Sequence, residues 1–199
     1  MADNKSSRDK QAHDDEKRQM KRDQDEAQRR RGEPEPPIDE ADLADIETEL
    51  DSLRYPATGT DVVEAVGDHT VKSVSGSYTV EELVPDTDSE TYESSSEVRA
   101  QVQRPTVAAA MKRIVEAADT LQHAEFGESQ RDAYEKTLRE LREIDADDDD
   151  EGVKVITDWI VENLHEKEKL PGSRVVRKRA AKFCRENGYE VRNDEWLGV

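Results

Sequence analysis

Six cations, Arg174, Arg177, Lys178, Arg179, Lys182 and Arg185, fall within 12 residues that contain no acid, in a chain of formal net charge -19. Such a run can hold phosphates or carboxylates, because guanidinium and ammonium groups donate charge-assisted hydrogen bonds to anionic oxygens. Val176, Ala180, Phe183 and Cys184 recur beside them at helical spacing, so the predicted element is a helix with its apolar face turned inward and its cations turned out. These six are the candidate contact residues for a partner or for nucleic acid. The competing expectation is that the helix clamps the acidic remainder of the chain internally.

Magnitude orders the possible partners. Phosphate neutralisation carries a slope of about -0.9 per contact in log affinity against log salt, so six contacts lose more than about five decades per tenfold rise in salt. Binding to DNA or RNA at molar salt would need base-edge contacts or dimerisation, and the sequence has neither a clear helix-turn-helix glycine nor an aromatic stacking set. Protein or self-interaction is therefore the first expectation and nucleic acid the second. The apolar face is too modest for an interfacial membrane helix.

Other reactive side chains do not assemble into a motif. His13, His69, His123 and His165 lack metal-site spacing, and Cys184 has no second cysteine with which to share an ion or a disulfide. No nucleophile sits in a recognisable elbow, and no glycine-rich phosphate loop is present. The acids Asp147 to Glu151 lack the alternating ligands and central glycine of a calcium loop and read as solvated acid at a helix N-terminus. Trp159 lies at core spacing, and Trp196 either docks the tail or stays exposed. We assign no catalytic, cofactor or metal residue, expect no small-molecule substrate, and read a noncatalytic interaction or regulatory protein.

The elements that must position the basic helix follow from composition and period. Of the 199 residues 40% are charged and 33% hydrophobic, too little apolar surface for the whole chain to be core. Residues 1–37 hold almost no apolar side chain and are expected to be a disordered charged tail, a second contact element beside the basic helix. Residues 38–85 read as a small α+β module: a helix through Leu43, Ile46, Leu50 and Leu53 stopped by Tyr55 and Pro56, then a short helix capped by Thr58 with Asp61 and ended by a left-handed Gly67. A hairpin follows, Thr70 to Val74 and Ser77 to Val80, and Thr79 with Glu82 caps a last turn that Pro85 closes. Residues 86–104 are polar and read as a linker.

Residues 105–199 read as a helical domain. Pro105 opens a helix with Val107, Met111, Ile114, Ala118 and Leu121 on one face; a second carries Tyr134, Leu138, Leu141 and Ile144; a third carries Val153, Ile156, Trp159, Ile160 and Leu164. Ser173 caps the fourth, the basic helix, and Gly188 ends it. Short connections favour an antiparallel bundle. The fold class is thus mainly α, a small α+β module plus a C-terminal helical bundle.

Charge is uneven along the chain. Residues 1–31 carry ten basic and eight acidic side chains, residues 32–165 carry 11 and 35, and residues 166–199 carry nine and six. At 1 M salt the Debye length is only about 3 Å, so such an acidic middle is tolerated there, and we read a salt-adapted protein. A lone cysteine, no opening hydrophobic signal and no run of the roughly 18 apolar residues that a span needs lead to the expectation of a soluble, cytoplasmic protein without membrane association.

Residues 45–84 resemble a small haloarchaeal family of unknown function, in which an acidic helix runs into YPAT, a short helix, a GD turn, a hairpin and a terminal helical turn. Tyr55, Pro56, Ala57, Thr58, Gly67, Asp68, Gly76, Thr79 and Leu83 carry the likeness. The resemblance implies a halophilic archaeal setting and supplies no reaction or cofactor.

Overall fold

The computed structural model describes residue 38 and residues 40–74, 76–121, 126–144 and 150–189; the expected tail, Asp147 to Asp149, His13, His123 and Trp196 lie outside them. Among the described residues the chain is mainly helical, as the sequence predicts, with two small antiparallel strand pairs where a single hairpin was expected.

The module begins with a 3-10 turn, Glu40–Leu43, that runs into α1 (Ala44–Ser52). Leu43, Ile46 and Leu50 are buried on one face, and the Tyr55 hydroxyl donates to the Leu50 carbonyl at 3.0 Å, closing the helix end. Strand β1 (Ala57–Thr58) leads into α2 (Gly59–Val66), whose capping box is complete: Asp61 N–H donates to Thr58 Oγ1 at 3.1 Å and Thr58 N–H to Asp61 Oδ2 at 2.8 Å. Gly67 departs from expectation. It is right-handed (φ -55°) and donates to the Val63 carbonyl at 2.8 Å, because the turn is continued by His69 N–H on the Val66 carbonyl instead of a left-handed cap.

Strands β2 (Thr70–Ser73) and β3 (Gly76–Thr79) pair with Val71 opposite Tyr78 and Ser73 opposite Gly76, and Gly76 supplies the positive φ of 142° that the reversal needs. The second capping box, Thr79 with Glu82, opens the expected helical turn, Val80–Glu82.

Residues 86–104 are not a linker. Strand β4 (Thr91–Tyr92) pairs antiparallel with β1, and α3 (Ser95–Val102) follows, burying Tyr92, Val98 and Val102 in the module core. Polar side chains are drawn into the same packing: the Ser95 hydroxyl donates to Asp51 at 2.6 Å, Arg99 pairs with Glu47, and Gln101 bridges the Tyr92 hydroxyl and the Leu83 carbonyl, each at 2.9 Å. Three apolar residues dispersed among polar ones were enough to anchor the segment.

Helix α4 (Pro105–Asp119) serves two cores. Ala108 packs into the module, whereas Val107, Ala110, Ile114 and Ala118 enter the bundle with α5 (Glu128–Ile144), α6 (Glu151–Lys167) and α7 (Ser173–Glu186). Tyr134, Leu138, Leu141, Ile156, Ile160, Leu164 and Val176 are fully buried there, at the spacings expected from the sequence. A buried ion pair crosses between the two parts, where the Arg131 guanidinium meets both carboxylate oxygens of Glu90. Among the described residues no helix is long and apolar enough to cross a membrane.

Candidate partner-binding surface

The position of α7 is set before its first residue. The Tyr134 hydroxyl and the Gln130 amide both donate to the Pro171 carbonyl, the latter at 2.9 Å, tying the turn ahead of α7 to the first two turns of α5. Burial pushes the Tyr134 hydroxyl up to about 12, so it stays a donor throughout the ordinary pH range. Ser173 does not cap α7 as expected. The N-cap is Gly172, whose carbonyl accepts from Val175 at 2.8 Å and Val176 at 3.2 Å, which makes Ser173 the first helical residue. Gly188 ends the helix with φ 77°, the left-handed conformation that favours glycine.

Val176, Ala180, Ala181, Phe183 and Cys184 form the buried face of α7. All six sequence-predicted cations lie on the same helix, but they divide. Arg174, Lys178, Lys182 and Arg185 are exposed, and at about 100° per residue they fall within roughly 80° of the helix circumference, a stripe inclined to the helix axis. Arg177 falls between Cys184 and Ala181 around the helix and Arg179 at the edge of the buried face; both are half-buried, each with an Nε that has no hydrogen-bond partner among the described residues. Arg179 lies over the Trp159 ring of α6, 5.8 Å from its centroid.

Elsewhere cations are spent on internal pairs: Arg99 with Glu47, Arg113 with Asp158 at 2.7 Å, Arg131 with Glu90, and Arg142 with Asp150 at 2.7 Å. On α7, among the described residues, the ion pair formed is Lys182 with Glu186 of the same helix, at 3.5 Å, with both side chains about 60% exposed. Among the described residues, none of Arg174, Lys178 and Arg185 forms an ion pair with the acidic middle of the chain.

Val175 was missed from sequence. Two large apolar side chains stand more than half exposed among the described residues: Val74 near the hairpin tip, at 70%, and Val175, at 52%. Val175 lies between the stripe and Arg179 around the helix, so cations border it on both sides. Its exposure depends on which face of α7 the bundle leaves uncovered, which the sequence alone does not mark.

Residues 40–114 match the model of a family of unknown function, DUF5789. The DUF5789 match covers the module and α4 as far as Ile114, a longer span than the resemblance at residues 45–84, and it leaves α5, α6 and α7 outside. No curated protein and no solved structure matches the chain.

The remaining candidates hold less. A shallow depression of about 440 Å³ is lined by Leu53, Arg54, Asp61, Glu64 and Ala65, of which Asp61 is already committed to the α2 capping box. His69 is 3.7 Å from Glu49, and no group of three His, Cys, Asp or Glu side chains among the described residues is placed to share a metal ion.

Proposed function

We propose that this chain is a noncatalytic, salt-adapted intracellular interaction protein that carries a DUF5789-like module and docks on an acidic protein surface through α7. The single observation that supports it most is the stripe of Arg174, Lys178, Lys182 and Arg185, exposed and turned away from the internal ion pairs, in a chain of net charge -19. A haloarchaeal setting accords with the 35 acids of residues 32–165. Nucleic acid is the competing partner, since phosphates would meet the same stripe. Four phosphate contacts alone would lose about 3.6 decades of affinity per tenfold rise in salt, so a phosphate-only contact fails where a salt-adapted protein works.

Fluorescence anisotropy separates the two. Labelled polyglutamate and labelled duplex DNA are titrated with the full chain and with the Arg174→Ala/Lys178→Ala/Arg185→Ala variant, at about 0.15 M and about 2 M potassium chloride. Polyglutamate binding at the lower salt that the variant loses supports the reading. DNA binding that persists at the higher salt and is lost in the variant replaces it with the nucleic-acid reading.

A further inference from the structure

We propose that the partner of α7 is an acidic amphipathic helix that covers Val175 with an apolar side chain. The proposal rests on the acidic-partner reading above and adds the contact that would hold in salt. Carboxylates opposite Arg174, Lys178, Lys182 and Arg185 give orientation and encounter rate, but at 1 M salt the Debye length of about 3 Å removes most of their long-range attraction. Burial of apolar surface is not screened. The α7 surface offers both terms side by side. Around the helix the basic stripe ends at Lys182, Val175 comes next at 52% exposure, and Arg179 follows, braced on the half-buried Trp159 ring. An exposed valine between cations, with an arginine stacked on a tryptophan beside it, has the composition of an interface centre with a polar rim.

The shape selects a helix. The stripe runs from Arg174 to Arg185 over about 16 Å, three turns, with Arg174, Lys178 and Lys182 each four residues apart on a row inclined to the helix axis, the ridge that a second helix packs against. Acids repeating at i, i+4 and i+8 on a second helix match that spacing, and the residue beside them on the partner falls over Val175.

The test uses the full chain and three labelled probes: a helical peptide with glutamates at i, i+4 and i+8 flanked by leucine, the same peptide with serine in place of leucine, and duplex DNA. The leucine peptide is expected to bind at about 0.15 M potassium chloride and to remain bound at about 2 M. Replacing leucine by serine, or Val175→Ser in the protein, is expected to weaken binding about tenfold. Equal binding of both peptides, with no effect of Val175→Ser, overturns the apolar anchor and leaves the acidic-partner reading standing. If neither peptide binds, both fall. Tighter binding of DNA, lost in the Arg174→Ala/Lys178→Ala/Arg185→Ala variant, also overturns both. Circular dichroism of Val175→Ser, an exposed position, checks that the fold is kept.

Discussion

Replacing Arg131 by methionine should destabilise the protein more than any change on its surface. The Glu90 carboxylate is only 7% exposed, while the Arg131 side chain is 27% exposed, and the two meet through paired contacts that join the module to the bundle. Removing the arginine leaves a carboxylate with almost no access to water, and breaking a buried pair in this way costs about 3–5 kcal/mol. Glu90→Gln leaves the other partner, which retains more solvent and lies 5.4 Å from the Phe126 ring centroid, so the loss should be smaller, about 1–2 kcal/mol. The double variant Glu90→Gln/Arg131→Met strands no charge and should recover part of the loss, a coupling of at least about 1 kcal/mol. Urea is the denaturant of choice, since guanidinium would itself screen the pair. With a urea slope of about 2–3 kcal/mol per molar, Arg131→Met should lower the midpoint by roughly 1.5 M. Equal small losses of under about 0.5 kcal/mol in both single variants, adding without coupling, would refute the reasoning and make the contact a surface pair in energetic terms.

Three further outcomes are expected. The folded fraction followed by circular dichroism should rise steeply with potassium chloride, because residues 32–165 carry 35 acids against 11 bases; full helicity and cooperative melting in dilute buffer would contradict it. Gly59→Ala should prevent stable folding or cost more than about 3 kcal/mol, since an added Cβ would lie 2.1 Å from the Pro85 carbonyl oxygen, a backbone atom; urea melts decide it. Hydrogen bonds from the Thr58 backbone and side chain hold the Asp61 carboxyl below its usual range, so its contribution is present above the unfolded value of about 4 and is lost as pH falls through the folded one. The melting difference between wild type and Asp61→Asn should therefore stay constant above about pH 5 and shrink below it.

Local rules recovered much of this fold because they act over a few residues. The Thr58–Asp61 and Thr79–Glu82 boxes each depend on side chains three positions apart, the Pro105 helix start on the fixed φ and absent N–H of one residue, and the bundle helices announce themselves through the spacing of residues such as Ile156, Ile160 and Leu164. The segment 86–104 was illegible for the opposite reason. Its Tyr92, Val98 and Val102 follow neither a strand nor a helix period as a set, and their burial depends on β1 and α1, more than 30 residues away. At the candidate surface the cluster of six cations was visible as composition. Its division into an exposed stripe and two half-buried arginines was not, because that depends on where Trp159 of α6 meets α7, and the value of Val175 follows only from which face is left uncovered.

Helix α4 explains why a boundary drawn at residue 105 misplaces the joint. Its Ala108 side closes the module core while Val107, Ala110 and Ile114 close the bundle core, so cutting before it uncovers apolar surface on both parts. Its polar face is engaged as well: Lys112 Nζ donates to the Val84 carbonyl at 3.0 Å, Glu116 accepts from Asp86 N–H at 3.0 Å, and the Thr87 and Ser89 hydroxyls hold the Asp119 carboxyl below its usual range. A helix gripped on three sides belongs to the module as much as to the bundle, which accords with a DUF5789 match that continues to Ile114. The bundle then acts as the cover of a module face. On α5, Arg131 holds Glu90 while its neighbours in the sequence and on the next turn, Gln130 and Tyr134, hold the Pro171 carbonyl ahead of α7. One short stretch of α5 thus fixes both the module and the basic helix, and the side chains that orient the α7 surface are immediate neighbours of the one that joins the two parts.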